Sequence, residues 1–349
     1  MKTSLLSTLS MTEATRQTLF RLQRDLVTAQ KEATTGRLAD VGLSLGQRTG
    51  QVVSLRYDHA RLEGMVDTNG LVGARLDVTQ HALGSVLETA NDFLSSLMAG
   101  RSSQIGADVI QPGARTTLDA LIGALNASTG SEHLFAGINT DVAPVTDYYA
   151  TPTSPARTAV ADAFMATFGF AQDSPAAAGI STADMQTFLD TTFAGLFDAA
   201  GWSADWSSAS DQNIRSRISM NELADVGVNA NEAAFRKLAQ AAVMVSDLGL
   251  GNLNAETART VLDNAFRIVG EATSELTRLQ ANVGTVQAQV ARASERMSLQ
   301  IDILTTRIND QEGVDPYEAA TRVSALLNQI ETSYALTGRL QNLSLLNYL

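Results

Sequence analysis

Few side chains in this 349-residue sequence have the types and the spacing that chemistry needs. There is no cysteine, which excludes disulfides, thiolate zinc sites and cysteine nucleophiles. The three histidines, His59, His81 and His133, lie too far apart for a local metal motif. His133 stands near Phe135, and a lone histidine in such a place is more often structural than catalytic. No phosphate-binding loop, zinc-protease or nucleophile-elbow motif is present.

Acidic side chains are concentrated in one segment of the chain. Residues 141–214 hold nine Asp and one basic residue, Arg157, so they carry a net charge of −8 out of −12 for the whole chain. Their spacing does not match a calcium-binding loop, so we interpret the segment as a solvated surface. Nucleic acid is a poor partner for an acidic chain, because its phosphates need an excess of Lys and Arg. We therefore expect no enzymatic activity, no metal, no cofactor and no nucleic-acid partner.

The composition indicates long helices. Hydrophobic residues make up 44% of the chain but aromatic residues only 5%, so Ala and Leu supply most of the apolar surface. The longest continuous apolar run, residues 241–245, is far too short to span a membrane, so we expect no membrane insertion. The first ten residues lack the continuous apolar region of a Sec signal peptide. By these tests alone the protein is expected in the cytoplasm, unless it leaves by a route without a cleavable signal.

Two long stretches have the heptad spacing of coiled-coil helices. Alternating steps of four and three residues connect Leu55 to Leu97, which predicts a helix roughly 65 Å long. A second stripe runs from Val261 to Ile308 and predicts a helix about 70 Å long. Two such helices bury their stripes best against each other, so we predict an antiparallel pair. The polar members of the first stripe, which would fix the register of the pair, are His59, Asn69 and Gln80.

Both chain ends carry apolar stripes of their own. The first stops at Gly36, and the second follows Asp315-Pro316, an N-cap residue with a proline at the first helical position. The stripes are either the outer helices of an ordinary bundle or assembly surfaces that neighbouring subunits cover. We favour assembly, because both ends carry stripes and the second reaches the last residue. The predicted assembly residues are Leu5, Leu9, Leu19, Leu22, Leu26, Val323, Leu327, Ile330, Tyr334, Leu340, Leu343, Leu346 and Leu349.

Residues 141–214 differ from the rest of the chain in composition. They hold ten of its 19 aromatic residues, which together with the acidic excess predicts a small inserted domain with a core of its own. A capping box of Ser181 and Asp184 predicts a helix inside it. The flanking segments 134–138 and 217–220 are expected to pair as a short β ribbon. We therefore expect that the insert can be removed without loss of function, since a short turn could join the adjacent ends.

The sequence thus predicts a mainly α fold. Its N- and C-terminal halves form a long antiparallel coiled-coil helical bundle, with a short β ribbon and a small inserted central domain. We assign residues 1–45 and 316–349 to terminal assembly helices, 46–140 and 215–315 to the long-helix bundle, and 141–214 to a surface-exposed insert.

Short segments in both halves of the chain resemble those of a known family. Residues 333–337 read Ser-Tyr-Ala-Leu-Thr and residues 343–349 read Leu-Ser-Leu-Leu-Asn-Tyr-Leu, which is similar to the C-terminus of the flagellin family. Residues 229–236 and 134–137 resemble segments of its hook-associated protein 3 group. The opening Met-Lys-Thr-Ser and residues 35–42, Thr-Gly-Arg-Leu-Ala-Asp-Val-Gly, are similar to the α-proteobacterial type.

This resemblance implies a structural subunit of the bacterial flagellum that joins the hook to the filament. Such subunits assemble into a ring, with paired terminal helices in the tube wall. They are secreted through the flagellar type III system with the help of a dedicated export chaperone. Their neighbours are hook-associated protein 1 on the hook side and flagellin on the filament side. The helical, Ala- and Asp-rich insert of this sequence departs from the β-rich domain that many members carry.

Three other functions stay open at this point. The chain could be a flagellin, the repeated filament subunit, which would differ from a junction protein in copy number. It could be a cytoplasmic coiled-coil adaptor, whose stripes bind partner helices. A secreted enzyme is the remaining alternative, and no constellation of residues supports it.

Overall fold

The computed structural model describes the backbone of residues 8–102 and 107–346 and the side chains of residues 13–100 and 109–339. Helices dominate the described residues, and the mainly α fold class predicted from the sequence is confirmed. The α-helices are α1 (Thr8–Thr35), α2 (Val41–Leu45), α3 (Thr49–Ser102), α4 (Ala107–Leu125), α5 (Pro155–Phe168), α6 (Thr182–Phe188), α7 (Ala199–Asp205), α8 (Ala233–Ser246), α9 (Ala255–Glu312) and α10 (Pro316–Leu346). The strands are β1 (Ser128–Thr129), β2 (Glu132–His133), β3 (Arg215–Ser219) and β4 (Glu222–Asp225).

The chain forms two compact units. Unit 1 consists of Met1–Gly64 and Met297–Leu349, and unit 2 of Met65–Arg296. The long helices α3 and α9 contribute to both units, and each unit is described separately below.

In unit 2, α3 and α9 pair in the way that their heptad stripes predict. Gln287 Nε2 donates to Asp77 Oδ1 at 2.7 Å, and Asn69 Nδ2 donates to Ser294 Oγ at 3.0 Å, so the two helices run in opposite directions. The predicted stripe positions are buried or half-buried along both helices. Asn69 is a buried polar member of the stripe and also donates to the carbonyl oxygen of Ile218 at 2.9 Å. It therefore holds strand β3 against the helix pair as well as fixing the register.

In unit 1 the same two helices pair through shorter stretches. His59 Nε2 lies 3.0 Å from Thr305 Oγ1, and Arg56 forms an ion pair with Glu312. Leu62 of α3 and Ile308 of α9 are buried between them. The antiparallel pair thus brings the first residues of α3 and the last residues of α9 together.

The chain turns between the long helices and the terminal helices at one point of unit 1. Gly36 ends α1 with a φ of 66°, a conformation that glycine adopts without strain, and Asp315 caps the N-terminus of α10. The amide of Leu38 donates to the carbonyl oxygen of Glu312 at 2.8 Å, and the amide of Val314 donates to that of Gly36 at 2.9 Å. Backbone hydrogen bonds therefore join the two halves of the chain at this turn.

The predicted β ribbon has different partners in the structure. Residues 217–220 pair within the β3–β4 hairpin, whereas residues 134–138 bond to residues 210–212, with Ile138 N donating to Gln212 O at 3.0 Å. The prediction that residues 134–138 pair with residues 217–220 is therefore wrong, because the backbone hydrogen-bonding groups of β3 pair with the neighbouring strand β4 instead. Ile138 and Gln212 nevertheless bring the two ends of the insert together.

The insert contains the predicted helix and shares its core with the helices around it. Ser181 is the N-cap of α6: its hydroxyl oxygen accepts from the amide of Asp184 at 3.1 Å, and the hydroxyl donates to Asp184 Oδ2 at 2.7 Å. The buried aromatic side chains of α5 to α7, however, belong to the same continuous core as α4, α8 and α9. The expectation that residues 141–214 have a core of their own is wrong, since the apolar faces of the short helices are covered by the bundle.

Hydrogen bonds attach the insert to the rest of unit 2. Tyr148 is buried and donates to Asp247 Oδ2 at 2.8 Å, and Thr257 Oγ1 donates to the carbonyl oxygen of Ile180 at 2.8 Å. Burial, and then the neighbouring Asp247 carboxylate, raise the pKa of Tyr148 well above its usual range. The phenol therefore stays neutral and remains a hydrogen-bond donor at physiological pH.

Removing residues 141–214 should lower the stability of unit 2, because the insert shares its core with the helices around it. The deletion removes the buried aromatic side chains of the insert from the core that they share with α4, α8 and α9. The closing turn is not the cause, because Ile138 and Gln212 are already hydrogen-bonded. We expect a lower unfolding temperature and increased binding of an apolar dye, whereas the exposed Met165→Ser change should have little effect. An unchanged unfolding temperature in the deletion variant would show that the insert does fold separately.

The stability of unit 1 should depend on the ion pair between Arg56 and the buried carboxylate of Glu312. The Glu312 side chain is fully buried, and one of its oxygens has no hydrogen-bond partner among the described residues. Arg56→Ala should lower the free energy of unfolding by about 2 kcal/mol, because it leaves a buried charge without a counter-charge.

Adding Glu312→Gln to the Arg56→Ala variant should restore part of this loss, because the change removes the buried charge. Arg48→Ala, at an exposed arginine of the same unit, is the matched control. Chemical denaturation followed by circular dichroism measures all four proteins. Equal losses for Arg56→Ala and Arg48→Ala would contradict this role of the ion pair.

Candidate assembly surface

The terminal helices α1 and α10 form an antiparallel pair in unit 1. Arg322 Nη1 contacts Glu32 Oε2 at 3.0 Å near one end of the pair, and Gln23 Nε2 donates to Tyr334 Oη at 3.2 Å further along. The position on α10 thus rises as the position on α1 falls. Glu32 is buried and also accepts a hydrogen bond from the amide of Ala39, which fixes the pair to the turn.

Five of the predicted assembly residues lie on the inner sides of this pair. The three leucines of α1 are half-buried, as is Val323 of α10, and Ile330 is 9% exposed. The stripes therefore cover each other within the chain, as the resemblance to paired terminal helices implies. The residues concerned are Leu19, Leu22, Leu26, Val323 and Ile330.

Two further predicted residues lie outside the seam between the helices. Leu327 is 43% exposed and Tyr334 is 55% exposed. Leu326 and Ser333 are inner positions of α10. Leu327 and Tyr334 each follow one of them by one residue and therefore lie on the flank of the helix pair.

The remaining predicted residues are outside the side chains that the structure describes. Their role in assembly stays a prediction. They are Leu5, Leu9, Leu340, Leu343, Leu346 and Leu349.

One flank of the pair carries apolar side chains of both helices. Phe20 and Val27 of α1 are 57% and 65% exposed, and they lie three and four residues from Gln23. Residues at this spacing share one side of a helix, and Gln23 bonds to Tyr334, so all of these side chains are on the same flank. We call Phe20, Val27, Leu327 and Tyr334 the lateral face.

Sequence reasoning missed the α1 part of the lateral face. Phe20 and Val27 are seven residues apart, which is the signal that could have found them. The signal was hidden because the leucine stripe of α1 is longer and lies on another side of the helix.

The charge distribution separates the two units. Residues 1–64 and 297–349 hold twelve basic and twelve acidic residues, so residues 65–296 carry the entire net charge of −12. Copies of unit 1 can therefore approach one another without net charge repulsion between these units.

The described residues do not form a catalytic or metal centre of the kinds considered above. The histidines make local contacts: His81 Nδ1 lies 2.7 Å from the carbonyl oxygen of Asp77, and His133 Nδ1 lies 3.0 Å from that of Asn126. In the part of the chain that the structure describes, no group of three or more potential ligands could hold a metal ion. Nor does any described helix have the length and apolar character needed to cross a membrane.

Two family models match the chain. The bacterial flagellin N-terminal helical region matches residues 6–140, and the bacterial flagellin C-terminal helical region matches residues 266–349. Together the matches cover more than half of the chain and include all of α1 and α10. Residues 141–265, with the insert, lie between them.

The fold is similar to that of solved structures. A protein from Vibrio parahaemolyticus, described as a flagellar hook-associated protein, matches with a TM-score of 0.52 at 8% identity, over 76% of this chain and 97% of its own. FlgL of Bacillus cereus matches with a TM-score of 0.47 at 10% identity, over 74% of this chain and 98% of its own. A search of proteins with curated functions gives no match. With both of its helical regions matched, the chain belongs to the flagellin family and is a structural protein of that family.

Proposed function

We propose that this chain is the hook-associated protein that joins the flagellar hook to the filament. On this proposal it assembles into a ring between hook-associated protein 1 and flagellin. It reaches that position through the flagellar type III export system, with a dedicated chaperone. Residues 1–45 and 316–349 then form the assembly domain in the tube wall, 46–140 and 215–315 the bundle, and 141–214 the outward insert.

The lateral face is the observation that carries the assembly role. Its four side chains are large, apolar and exposed on the flank of the terminal helix pair. Burying one such side chain contributes roughly 1.5–3 kcal/mol, so covering the whole face provides a substantial driving force for association. The charge balance of unit 1 removes the repulsion that would oppose it.

Two observations favour a junction protein over other members of the family. The segments at 134–137 and 229–236 resemble the hook-associated protein 3 group. The fold is also similar to that of a protein described as flagellar hook-associated. A junction protein needs only a short ring of subunits, whereas a filament needs thousands.

A flagellin is the second candidate, because the two family models are named for that protein. The cytoplasmic adaptor and the secreted enzyme are less favoured, since membership of a structural flagellar family explains the stripes without them. Copy number on purified flagella separates the two flagellar candidates: a filament subunit would be the major protein of the preparation.

Deletion of the gene tests the proposal. We expect cells with intact hooks, without filaments, and with unpolymerised flagellin in the medium. The same microscopy on complemented strains tests the lateral face. Phe20→Ser combined with Val27→Ser should be secreted but should fail to restore filaments. Leu43→Ser, at an exposed leucine of α2 in the same unit, should restore them.

Two results would contradict the proposal. Filaments of normal length in the deletion strain would exclude a junction role. Filaments restored by the Phe20→Ser, Val27→Ser variant as fully as by Leu43→Ser would show that the lateral face takes no part in assembly.

A further inference from the structure

A cavity lies between the insert and the bundle within unit 2. Its volume is about 230 Å³, and residues of α8, of α9 and of the segment Leu189–Phe193 line it. That segment continues α6 as a short π-helical turn, a rare conformation that is often found at functional sites. The cavity is smaller than the roughly 300–1,000 Å³ of pockets for drug-sized ligands, so its size suits one small ring.

The buried part of the lining is apolar. Leu189 of the π-helical turn, Met244 of α8 and Ile268 of α9 line the cavity, and each of them is almost completely buried. The same three side chains belong to the continuous core of unit 2. A ligand in the cavity would therefore rest on a fixed apolar surface.

Two cations line the cavity, and both are already paired. Lys237 Nζ donates to Glu271 Oε2 at 2.9 Å and to Glu275 Oε1 at 2.8 Å, and Arg267 Nη1 donates to Glu271 Oε1 at 2.7 Å. The hydrogen bond to Glu275 raises the pKa of Lys237, and the hydrogen bond from Lys237 lowers the pKa of Glu271, so both groups are charged at neutral pH. An anionic ligand would have to displace a carboxylate from one of these pairs.

Amide side chains extend the polar lining to the π-helical turn. Asn264 Nδ2 donates to Gln186 Oε1 at 2.7 Å, and Gln186 Nε2 donates to Asp190 Oδ2 at 2.8 Å. Asp190 and Glu271 are the two carboxylates of the lining, so the lining holds as many acidic as basic side chains. This balance favours a neutral ligand over an ion.

The amide of Gln240 is the polar group of the lining that lacks a partner. Gln240 of α8 is 9% exposed, and its side chain makes no hydrogen bond to any residue that the structure describes. It lies three residues after Lys237 and four before Met244, on the side of α8 that lines the cavity. A buried amide needs partners, and it presents both donors and an acceptor. The group that satisfies Gln240 must therefore offer both as well.

We propose that this cavity binds one uncharged sugar ring, either as a free monosaccharide or as the end of a glycan. Each sugar hydroxyl both donates and accepts, which suits the amide of Gln240 and the carboxylates and cations around it. The carbon–hydrogen face of the ring would pack on the apolar part of the lining. The inference goes beyond the proposed function, because the site lies within one subunit and needs no assembly.

Saturation-transfer NMR on the full-length monomer tests the site. The probes are glucose, galactose, mannose and N-acetylglucosamine. We expect at least one of them to bind with a dissociation constant on the order of 1 mM, because about twelve non-hydrogen atoms provide only weak binding. An oligosaccharide that ends in the same sugar distinguishes the sources: signals confined to its terminal ring indicate a glycan end, and no binding indicates the free monosaccharide.

Charged sugars of the same size test the preference for a neutral ring. Glucuronate and glucosamine should bind about tenfold more weakly than the neutral sugar. Glucosamine is the sharper of the two probes, because Asp190 forms no ion pair among the described side chains and could accept its ammonium group. Tighter binding of either charged sugar would overturn the inference.

The change Gln240→Leu separates a binding role from a structural one. It removes the amide and keeps a side chain of similar size, so the affinity for the sugar should fall about tenfold. The unfolding temperature should stay the same or rise, since Gln240 has no partner among the described residues to lose. Gln111→Leu, at a half-buried glutamine that lines a different cleft of unit 2, is the matched control and should leave the affinity unchanged.

Three further results would overturn the inference. The first is the absence of saturation transfer to all four neutral sugars. The second is equal affinity of the Gln240→Leu and Gln111→Leu variants, which would place the sugar elsewhere. The third is a lower unfolding temperature of Gln240→Leu with unchanged affinity, which would make its role structural. All of these measurements use the monomer, so their failure leaves the proposed junction function intact.

Discussion

The antiparallel pairing of α3 and α9 is the interaction on which the rest of unit 1 depends. Because the two helices run in opposite directions, the start of α3 lies beside the end of α9, where Arg56 meets the buried Glu312. The chain segments that leave these two ends are therefore close enough to bond through Leu38 and Glu312. That turn places the end of α1 beside the start of α10. A parallel pair would separate the chain ends and leave both terminal stripes without a partner.

The same pairing explains why a single copy leaves apolar surface exposed. Two helices can bury only the sides that face each other, and the far sides stay in contact with solvent. In unit 1 the far sides carry side chains such as Tyr57 and Ile303 instead of an all-polar surface. In unit 2 additional helices and the insert cover α9, and most of its large apolar residues are buried there. The net negative charge of the chain lies in unit 2, whereas unit 1 is charge-balanced.

The sequence alone was sufficient for the features that depend on local spacing. The heptad stripes predicted the α3–α9 pair, and side-chain caps predicted the starts of α6 and α10, because both signals lie within a few residues of each other. The ribbon partner of residues 134–138 was predicted wrongly, since pairing with residues 210–212 spans the whole insert and has no periodic signal. The aromatic residues of the insert revealed a core but not which helices share it.

The candidate assembly surface shows the same difference between features set by local sequence spacing and features set by contacts between distant residues. Leu19 and Val323 were found from their stripes, and the structure places them between the two terminal helices. The lateral face depends on how α1 and α10 are rotated about their axes when they pair, and a stripe on one helix does not specify that rotation. For this reason the contact between Gln23 and Tyr334 was needed to place Phe20 and Val27 on the same flank as Leu327 and Tyr334.

Amide hydrogen exchange, compared between the dilute monomer and the assembled protein, tests most directly that the ends of the chain form the assembly surface. Assembly buries the flanks of α1 and α10, so we expect slower exchange in both helices after assembly. Exchange in residues 141–214, which belong to the acidic unit, should stay unchanged. A slowing confined to residues 141–214, with α1 and α10 exchanging at the same rate in both states, would contradict this account of assembly.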